Sequence, residues 1–187
     1  MHEQPDRPPL RPPPRRPALH RAPPHRGVPP GAPAPLGGFA VELAALRGLR
    51  VIASASPADE DAVRALGATD FVPRHASLPE AVRALIPGGV DAALDAAALG
   101  PETLAAVRGG GRFVSISVPN TPIPLRGTDV RTVLVRADRA QLDQLVAHVD
   151  AGELTLRVAE TLPLTSVEAA QKRLAAGALR GRLVLIP

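Results

Sequence analysis

The apolar residues from position 36 onward alternate between helical and extended patterns. Four of them recur at the spacing of one helical face: Leu36, Phe39, Leu43 and Leu46. Gly48 is placed to end this helix, and the segment that follows, LRVIASA (49–55), is short and mostly apolar, as in a buried strand. The regular part of the chain therefore begins with a helix and a buried strand.

The same alternation continues to the end of the chain. Strands are predicted at 49–55, 70–73, 90–95, 112–117, 130–135, 154–158 and 183–186. Helices are predicted between most of them, one at 101–108, and their starts carry capping signals: Ser56 with Pro57, Ser77 with Glu80, Asp138 with Gln141, and Thr165 with Glu168. Short buried strands alternating with capped helices predict an α/β fold with a doubly wound, mostly parallel sheet. Such sheets bind ligands at the carboxyl ends of their strands, which favours nucleotide binding.

The first 35 residues have a different composition. They hold 13 of the 23 prolines and six arginines against only Glu3 and Asp6. Because proline removes a backbone donor and fixes φ, this segment is predicted to be a disordered or polyproline II tail, with the folded domain at 36–187. An inert tail is the first interpretation; a Pro-rich peptide motif or phosphate contacts are the alternatives. Since the segment has no aromatic residue to stack on bases, we expect no nucleic-acid partner.

Composition excludes several other classes. The chain has no cysteine, so it has no disulfide framework, thiolate zinc site or cysteine nucleophile. No apolar run reaches the roughly 18 residues of a membrane helix, and the N-terminus lacks the apolar core of a signal peptide. We expect a cytoplasmic protein with no membrane partner. His75 and His148 are isolated, so no zinc site is expected either.

Six runs carry a family resemblance. They are GGFAVELA (37–44), RVIASAS (50–56), LGATD (66–70), GVDAALD (89–95), GGRFV (110–114) and GALRGRLVL (177–185). In this order they resemble the Rossmann-type cofactor domain of medium-chain dehydrogenase/reductases, most closely the zinc-independent, quinone-oxidoreductase-like branch. The resemblance implies hydride transfer between a nicotinamide cofactor and a small quinone, enone or carbonyl substrate. It also implies a truncated chain, because the family's substrate-binding half would precede residue 36.

The glycine-rich turn departs from the family pattern. Where the family has Gly-Ala-x-Gly-Gly-Val-Gly, this chain reads GAPAPLG (31–37). By resemblance Gly31, Leu36 and Gly37 contact the cofactor, but two prolines remove amide donors for the pyrophosphate. The family's first, central strand is likewise missing, or replaced by the Pro-rich tail. A product of a shifted reading frame is a second interpretation of this segment.

The end of the second predicted strand bears on the choice of cofactor. A site for NAD carries an acid there to hold the ribose 2′-hydroxyl, whereas Ser54, Ala55 and Ser56 occupy the window here. Ser54 and Ser56 are therefore candidate cofactor residues, and NADP(H) is expected over NAD(H). The alternative is structural: Ser56 as an N-cap, and Asp59 as a first-turn acid favoured by the helix dipole.

Two further strand ends carry candidates by resemblance. Asp95 and Ala97 follow the fourth strand, and Ser117 and Val118 follow the fifth, where they would line the nicotinamide ribose and carboxamide. Plain loop structure is the alternative for each. No catalytic side chain is assigned, because the cofactor carries the chemistry in such enzymes.

Two functions and one assembly follow as expectations. The first function is the cofactor half of an NADP(H)-dependent oxidoreductase of the quinone-reductase or alcohol-dehydrogenase-like type. The second is a non-catalytic remnant or interaction module with a degraded cofactor loop. By resemblance, the strand from Val130 to Val135 is an edge through which two copies pair as a homodimer.

Overall fold

Strands and helices alternate along the computed structural model, which describes residues 27–28, 35–176, 179 and 181–187. The strands are β1 (Gly27–Val28), β2 (Ile52–Ala55), β3 (Asp70–Pro73), β4 (Val90–Asp95), β5 (Val107–Ser115), β6 (Asp129–Thr132), β7 (Val158–Pro163) and β8 (Arg182–Ile186). The helices are α1 (Pro35–Leu46), α2 (Glu60–Ala65), α3 (Leu78–Leu85), α4 (Pro101–Ala106), α5 (Arg139–Asp150) and α6 (Val167–Ala175). Short 3₁₀ turns precede α2 and α6 and follow β5. None of these helices is long and apolar enough to cross a bilayer.

Every strand pairing is parallel, which confirms the predicted sheet type. β1, β4, β5 and β6 form one sheet in that order, β2 pairs with β3, and β7 pairs with β8. Parallel neighbours need helical crossovers, and these helices supply them. The predicted tail, 1–35, lies outside the described residues except for β1 and the first residue of α1.

The strand β1, of which the structure describes two residues, stands at one end of the four-stranded sheet. Gly27 pairs with Ala92 and Val28 with Ala93, so β1 joins the sheet beside β4. β1 also contacts β2, but among the described residues no ladder pairing links those two strands. The expectation that the first strand is missing is therefore wrong for these two residues, and the rest of the predicted tail on either side of them lies outside the described residues.

Two apolar clusters lie on the two faces of the sheet. One packs α3 and α4 against Ile52, Val72 and Phe113, so it joins β2 and β3 to the four-stranded sheet across the break. The other places Val41 of α1 and Val63 of α2 against the opposite face of β2. Helices on both faces make this a doubly wound fold, as predicted.

The predicted helix caps have mixed outcomes. Asp138 caps α5: its Oδ1 accepts from Gln141 N at 3.0 Å and its Oδ2 from Gln141 Nε2 at 2.8 Å. Ser77 stands at the N-cap of α3 but makes no side-chain capping bond, and Glu102 Oε1 takes the amide of Leu78 instead, at 3.5 Å. The predicted capping box at Ser77 is therefore wrong.

The capping box predicted from Thr165 is also wrong. α6 starts one residue later than that spacing requires, with Ser166 at the N-cap and no side-chain capping bond. A 3₁₀ turn over Leu164–Ser166 leads into the helix and sets this start. The residues at the required spacing are therefore out of phase with the helix.

Several strand boundaries also differ from the predictions, and β2 begins at Ile52, three residues later than expected. β5 begins at Val107, so the helix before it is shorter than expected. β6 ends at Thr132, which leaves Val133 to Val135 outside the strand. β7 begins at Val158 because the predicted start, Leu154, belongs to the turn after α5. In that turn the amides of Glu153 and Leu154 both donate to the carbonyl of His148.

The turn between α3 and β4 depends on a glycine. Gly89 has φ +85°, and a Cβ there would lie 2.7 Å from the carbonyl oxygen of Ala106. The neighbouring Gly88 has no atom within 4 Å of an added Cβ. Only the second of the two glycines is therefore required by the backbone.

Candidate cofactor site

The carboxyl ends of β4 and β5 lie side by side. The ladder pairs Asp95 with Ser115, and the amide of Ile116 donates to the carbonyl of Asp95 at 3.3 Å. Each strand then turns away into a loop, and the loop after β4 contains Ala97 while the loop after β5 contains Ser117 and Val118. Four sequence-predicted site residues are therefore brought to one edge of the sheet.

The Asp95 carboxylate is fully buried and turned towards the backbone. Its Oδ1 accepts from the amides of Ala97 and Leu99, both at 3.1 Å, and its Oδ2 accepts from Gly100 N at 2.6 Å. Ala98, inside this loop, has φ +60°. Three amide bonds to one carboxylate hold this loop in shape, so the visible role of Asp95 is structural.

Hydroxyl groups fix the segment after β5 in a similar way. The buried Ser115 Oγ donates to the carbonyl of Ser117 and accepts from its amide, both at 3.0 Å. Thr121 Oγ1 also donates to that carbonyl at 3.1 Å, and it lies 2.8 Å from Thr132 Oγ1. The role of Ser115 was not predicted from the sequence. The feature that could have indicated it is a serine at the buried end of a strand, two residues before the candidate Ser117.

The end of β2 combines a buried and a half-buried serine. Ser54 is buried, whereas Ser56 is half-buried and makes no side-chain capping bond. The carbonyl of Ser56, rather than its hydroxyl, begins the next turn by accepting from Asp59 N at 2.9 Å. The capping interpretation of the Ser56 side chain is therefore wrong, and its hydroxyl does not cap the turn.

The start of α1 presents two of the remaining candidates. Leu36 is exposed and Gly37 is buried. Gly31, the third candidate in this region, lies outside the described residues. The helix N-terminus supplies free amides and a positive dipole end, the combination that binds phosphate groups in dinucleotide folds.

The same helix is tied to the C-terminal part of the chain. Glu42 is buried and accepts from Arg157 Nη1 and from Thr155 N, both at 3.0 Å. The Arg157 guanidinium lies 4.6 Å from the ring centre of Phe39, and a Cβ on Gly38 would approach its Nη2 to 2.5 Å. A side chain at Gly38 would therefore displace the end of the Arg157 side chain from this position.

A charged cleft of about 320 Å³ opens beside the amino-terminal part of β4. Two ion pairs line it: Arg108 with Asp91 at 2.6 Å and Arg112 with Asp129 at 3.2 Å. Arg131, hydrogen-bonded to Asp129 at 3.0 Å, holds the pKa of that carboxyl below its usual value, with Arg112 adding to the effect. Both arginines are already paired with carboxylates, so we assign no ligand to this cleft.

The described residues bring no three His, Cys, Asp or Glu side chains together in a group suited to a metal ion. His148 is paired with Glu153 at 2.6 Å on the surface near the end of α5. We therefore assign no metal ligand to this part of the chain.

Comparison with protein families places this architecture. Residues 66–185 match the family model described as "Zinc-binding dehydrogenase". The match covers more than half of the chain, including β3 to β7 and nearly all of β8. No curated protein gives a significant match to the sequence.

Several solved structures share the fold. AibC is 26% identical with a TM-score of 0.81, over 88% of this chain and 53% of its own. A putative alcohol dehydrogenase from Sinorhizobium meliloti 1021 is 26% identical with a TM-score of 0.74, over 87% of this chain and 48% of its own. The quinone oxidoreductase of Pseudomonas syringae pv. Tomato DC3000 shares the fold at 20% identity and a TM-score of 0.71, over 88% of this chain and 57% of its own. The chain thus spans about half the length of the structures it matches.

Proposed function

This chain belongs to the zinc-binding dehydrogenase family, and its solved structural neighbours include an alcohol dehydrogenase and a quinone oxidoreductase; we propose that it is the NADP(H)-binding half of such an enzyme. The enzyme would transfer a hydride between the nicotinamide and a quinone, enone or other carbonyl substrate. The observation that carries the proposal is the family match on a parallel sheet with an ordered carboxyl edge. The other half of the enzyme, which would select the substrate, is not represented in the matched residues.

The carboxyl edge fits a dinucleotide with a 2′-phosphate. The carboxylate of Asp95 is buried against backbone amides, so it presents no charge to a ligand on the edge. The end of β2 carries Ser54 and Ser56 instead of an acid, and a carboxylate there would repel a phosphate. The serines at the end of β2 support NADP(H) over NAD(H), whereas Asp95 lies on the nicotinamide side and does not bear on that choice.

Each part of the edge would have a distinct binding role. The start of α1, with Leu36 and the buried Gly37, would face the pyrophosphate, and Ser56 would face the adenosine ribose. Ala97 and Val118, both exposed, and the fixed backbone at Ser117 would line the nicotinamide side. The cofactor supplies the hydride chemistry when bound, and these residues bind it and orient it.

Zinc takes no part in this proposal. The family description names the metal, but the described residues form no group of ligands that would hold it. We therefore assign no step to a metal on this chain.

One observation favours the second candidate, a non-catalytic module that holds a partner. β7 and β8 form a two-stranded parallel sheet, and Val158 and Ile186 on it are 53% and 49% exposed. Parallel sheets are otherwise found with both faces covered. A chain retained for interaction would keep this surface and lose its affinity for cofactor.

A titration with NADPH and with NADH, followed by nucleotide fluorescence, separates the two candidates. We expect NADPH to bind with a Kd of about 100 μM or weaker, because Pro33 and Pro35 remove amide donors worth roughly 1.5–3 kcal/mol each in the glycine-rich turn. NADH should bind more weakly still. No binding of either nucleotide at millimolar concentration would contradict the oxidoreductase proposal and leave the module.

We also propose that the chain pairs as a homodimer through the edge strand β6. On one side β6 pairs with β5, where Val130 is the partner of Phe113 in the ladder. On its other side, no strand among the described residues pairs with β6. Leu134 and Val135, just beyond the strand, are 73% and 95% exposed. Size-exclusion chromatography with light scattering should give a dimer mass, and a strict monomer at 100 μM would contradict this pairing.

A further inference from the structure

A second cavity, of about 260 Å³, opens between α1 and the two-stranded sheet of β7 and β8. Its lining residues are Phe39, Leu156, Arg157, Val158, Arg182 and Val184. None of them belongs to the carboxyl edge or to the charged cleft. Since a cavity of roughly 150 Å³ is enough to hold a benzene ring, this one has room for a small ligand.

The walls of this cavity are mostly apolar. Leu156 and Val158 are 63% and 53% exposed, and Val184 is 36% exposed. The half-buried ring of Phe39 adds an aromatic surface on the side of α1. A ligand with an apolar tail would remove these side chains from water, which is the main source of affinity in pockets of this kind.

Contacts within the chain hold the cavity in shape. The Arg157 guanidinium lies 4.6 Å from the ring centre of Phe39 and donates to the buried Glu42 at 3.0 Å. The carbonyl of Arg157 accepts from Arg182 N at 2.8 Å. Gly181, at φ +130°, permits this approach, because an added Cβ would lie 2.6 Å from that carbonyl oxygen. A site formed in advance binds a ligand at a lower entropic cost.

The two arginines of the cavity differ in charge balance. Arg157 is neutralised by Glu42. Arg182 is exposed, and no carboxylate among the described residues forms an ion pair with it. Residues 1–35, with six arginines against two acids, carry the same sign of charge as Arg182, which disfavours them as the occupant. The cavity therefore suits a ligand that is anionic at one end and apolar at the other.

We propose that this cavity binds a small carboxylate with an aromatic or branched apolar tail. The tail would lie against Phe39 and Val184, and the carboxylate would bind Arg182. A guanidinium matches the two oxygens of a carboxylate, and one cation balances its single charge, whereas a phosphate monoester carries nearly two charges. The site is separate from the carboxyl edge, so the inference goes beyond the proposed function and does not depend on it.

The test titrates the chain with 3-phenylpropionate, with its neutral analogue 3-phenylpropanamide, and with acetate, the anion without a tail. Methyl NMR signals of the leucine and the valines of the cavity report binding. Arg182→Gln removes the cation, and Val158→Phe fills the cavity. The matched controls are Arg173→Gln and Val167→Phe, which change exposed residues of α6 outside the cavity.

We expect 3-phenylpropionate to bind with a Kd of about 1 mM or tighter, and the amide and acetate to bind at least about fivefold more weakly. Arg182→Gln should weaken the carboxylate about fivefold and change the amide by less than about twofold. Val158→Phe should weaken both about tenfold, and the two controls should behave as the unchanged chain.

Two results would overturn the proposal. Equal binding of the carboxylate and the amide to the unchanged chain would refute the role of Arg182, and this comparison requires no variant to fold. Methyl shifts that Val158→Phe leaves unchanged, or no shifts at about 20 mM 3-phenylpropionate, would refute the site. The titration with NADPH and NADH reports on the carboxyl edge alone, so failure of the proposed function would be seen separately.

Discussion

Replacing Asp95 by alanine should destabilise the chain without touching an apolar contact. The carboxylate is the acceptor for three amides of one loop, at 3.1, 3.1 and 2.6 Å. The shortest bond, to Gly100 N, is buried, whereas the amides of Ala97 and Leu99 lie in a partly exposed part of the loop and could bond to water in the variant. The variant loses one buried charge-assisted hydrogen bond, and water replaces the carboxylate in the other two. We therefore expect the free energy of unfolding to fall by about 3 kcal/mol.

The loop cannot recover easily by moving. Gly100 has φ +57°, and a Cβ built on it would lie 2.6 Å from the carbonyl oxygen of Asn120, so the loop already packs closely against the segment after β5. A loss of 3 kcal/mol is a large share of the 5–15 kcal/mol that is typical of a domain. We therefore expect a clear shift of the unfolding midpoint.

Urea unfolding followed by far-UV circular dichroism measures this loss. Asp91→Ala is the control, because Asp91 lies on the same strand but forms a partly exposed ion pair with Arg108, a type of contact worth about 0–1 kcal/mol. A free energy of unfolding for Asp95→Ala within 1 kcal/mol of the Asp91→Ala value would refute the structural role. If Asp95 instead served mainly to bind the cofactor, Asp95→Asn would weaken NADPH binding while the unfolding midpoint stayed in place.

Three further predictions use other contacts. Gly89→Ala should lower the free energy of unfolding by about 1–2 kcal/mol or more, because it places a Cβ at positive φ against a carbonyl, whereas Gly88→Ala should change it by less than about 1 kcal/mol; equal effects would contradict the turn geometry. Glu42→Gln should weaken the bond to the C-terminal segment and speed its limited proteolysis, and an unchanged cleavage rate would count against this anchor. Asp129 should titrate by NMR below the usual Asp range and Arg131→Ala should raise its pKa; since the folded pKa is lowered, its small contribution to stability is present above that range and is lost as the pH falls through the lowered value.

The strands that sequence predicted best are bounded by residues with an unambiguous local role. β3 and β4 have the predicted limits, since Gly67 and Gly89 adopt positive φ just before them. β7 was misplaced because the turn after α5 uses the amides of Glu153 and Leu154, a bond pattern that the apolar spacing does not reveal. Glycines and apolar runs in the sequence therefore predicted that these strands exist. For β7, hydrogen bonds in the turn after the preceding helix determined where the strand begins.

The candidate site shows the same division between position and role. The sequence located Asp95 and Ser117 at strand ends, which the structure brings to one edge. It left open whether the Asp95 carboxylate faces a ligand or the backbone, because that depends on loop amides two to five residues away.

The polar groups of the carboxyl edge divide into two sets with different consequences. The side-chain oxygens of Asp95, Ser115 and Thr121 form hydrogen bonds with backbone groups of the two loops. The edge therefore keeps its shape without a ligand. Ser56, in contrast, lies at the end of β2 and makes no side-chain capping bond. Weakening of the glycine-rich turn should therefore lower the overall affinity for dinucleotide while leaving the preference for a 2′-phosphate in place. Affinity and specificity should then vary independently in this chain, because different residues carry them.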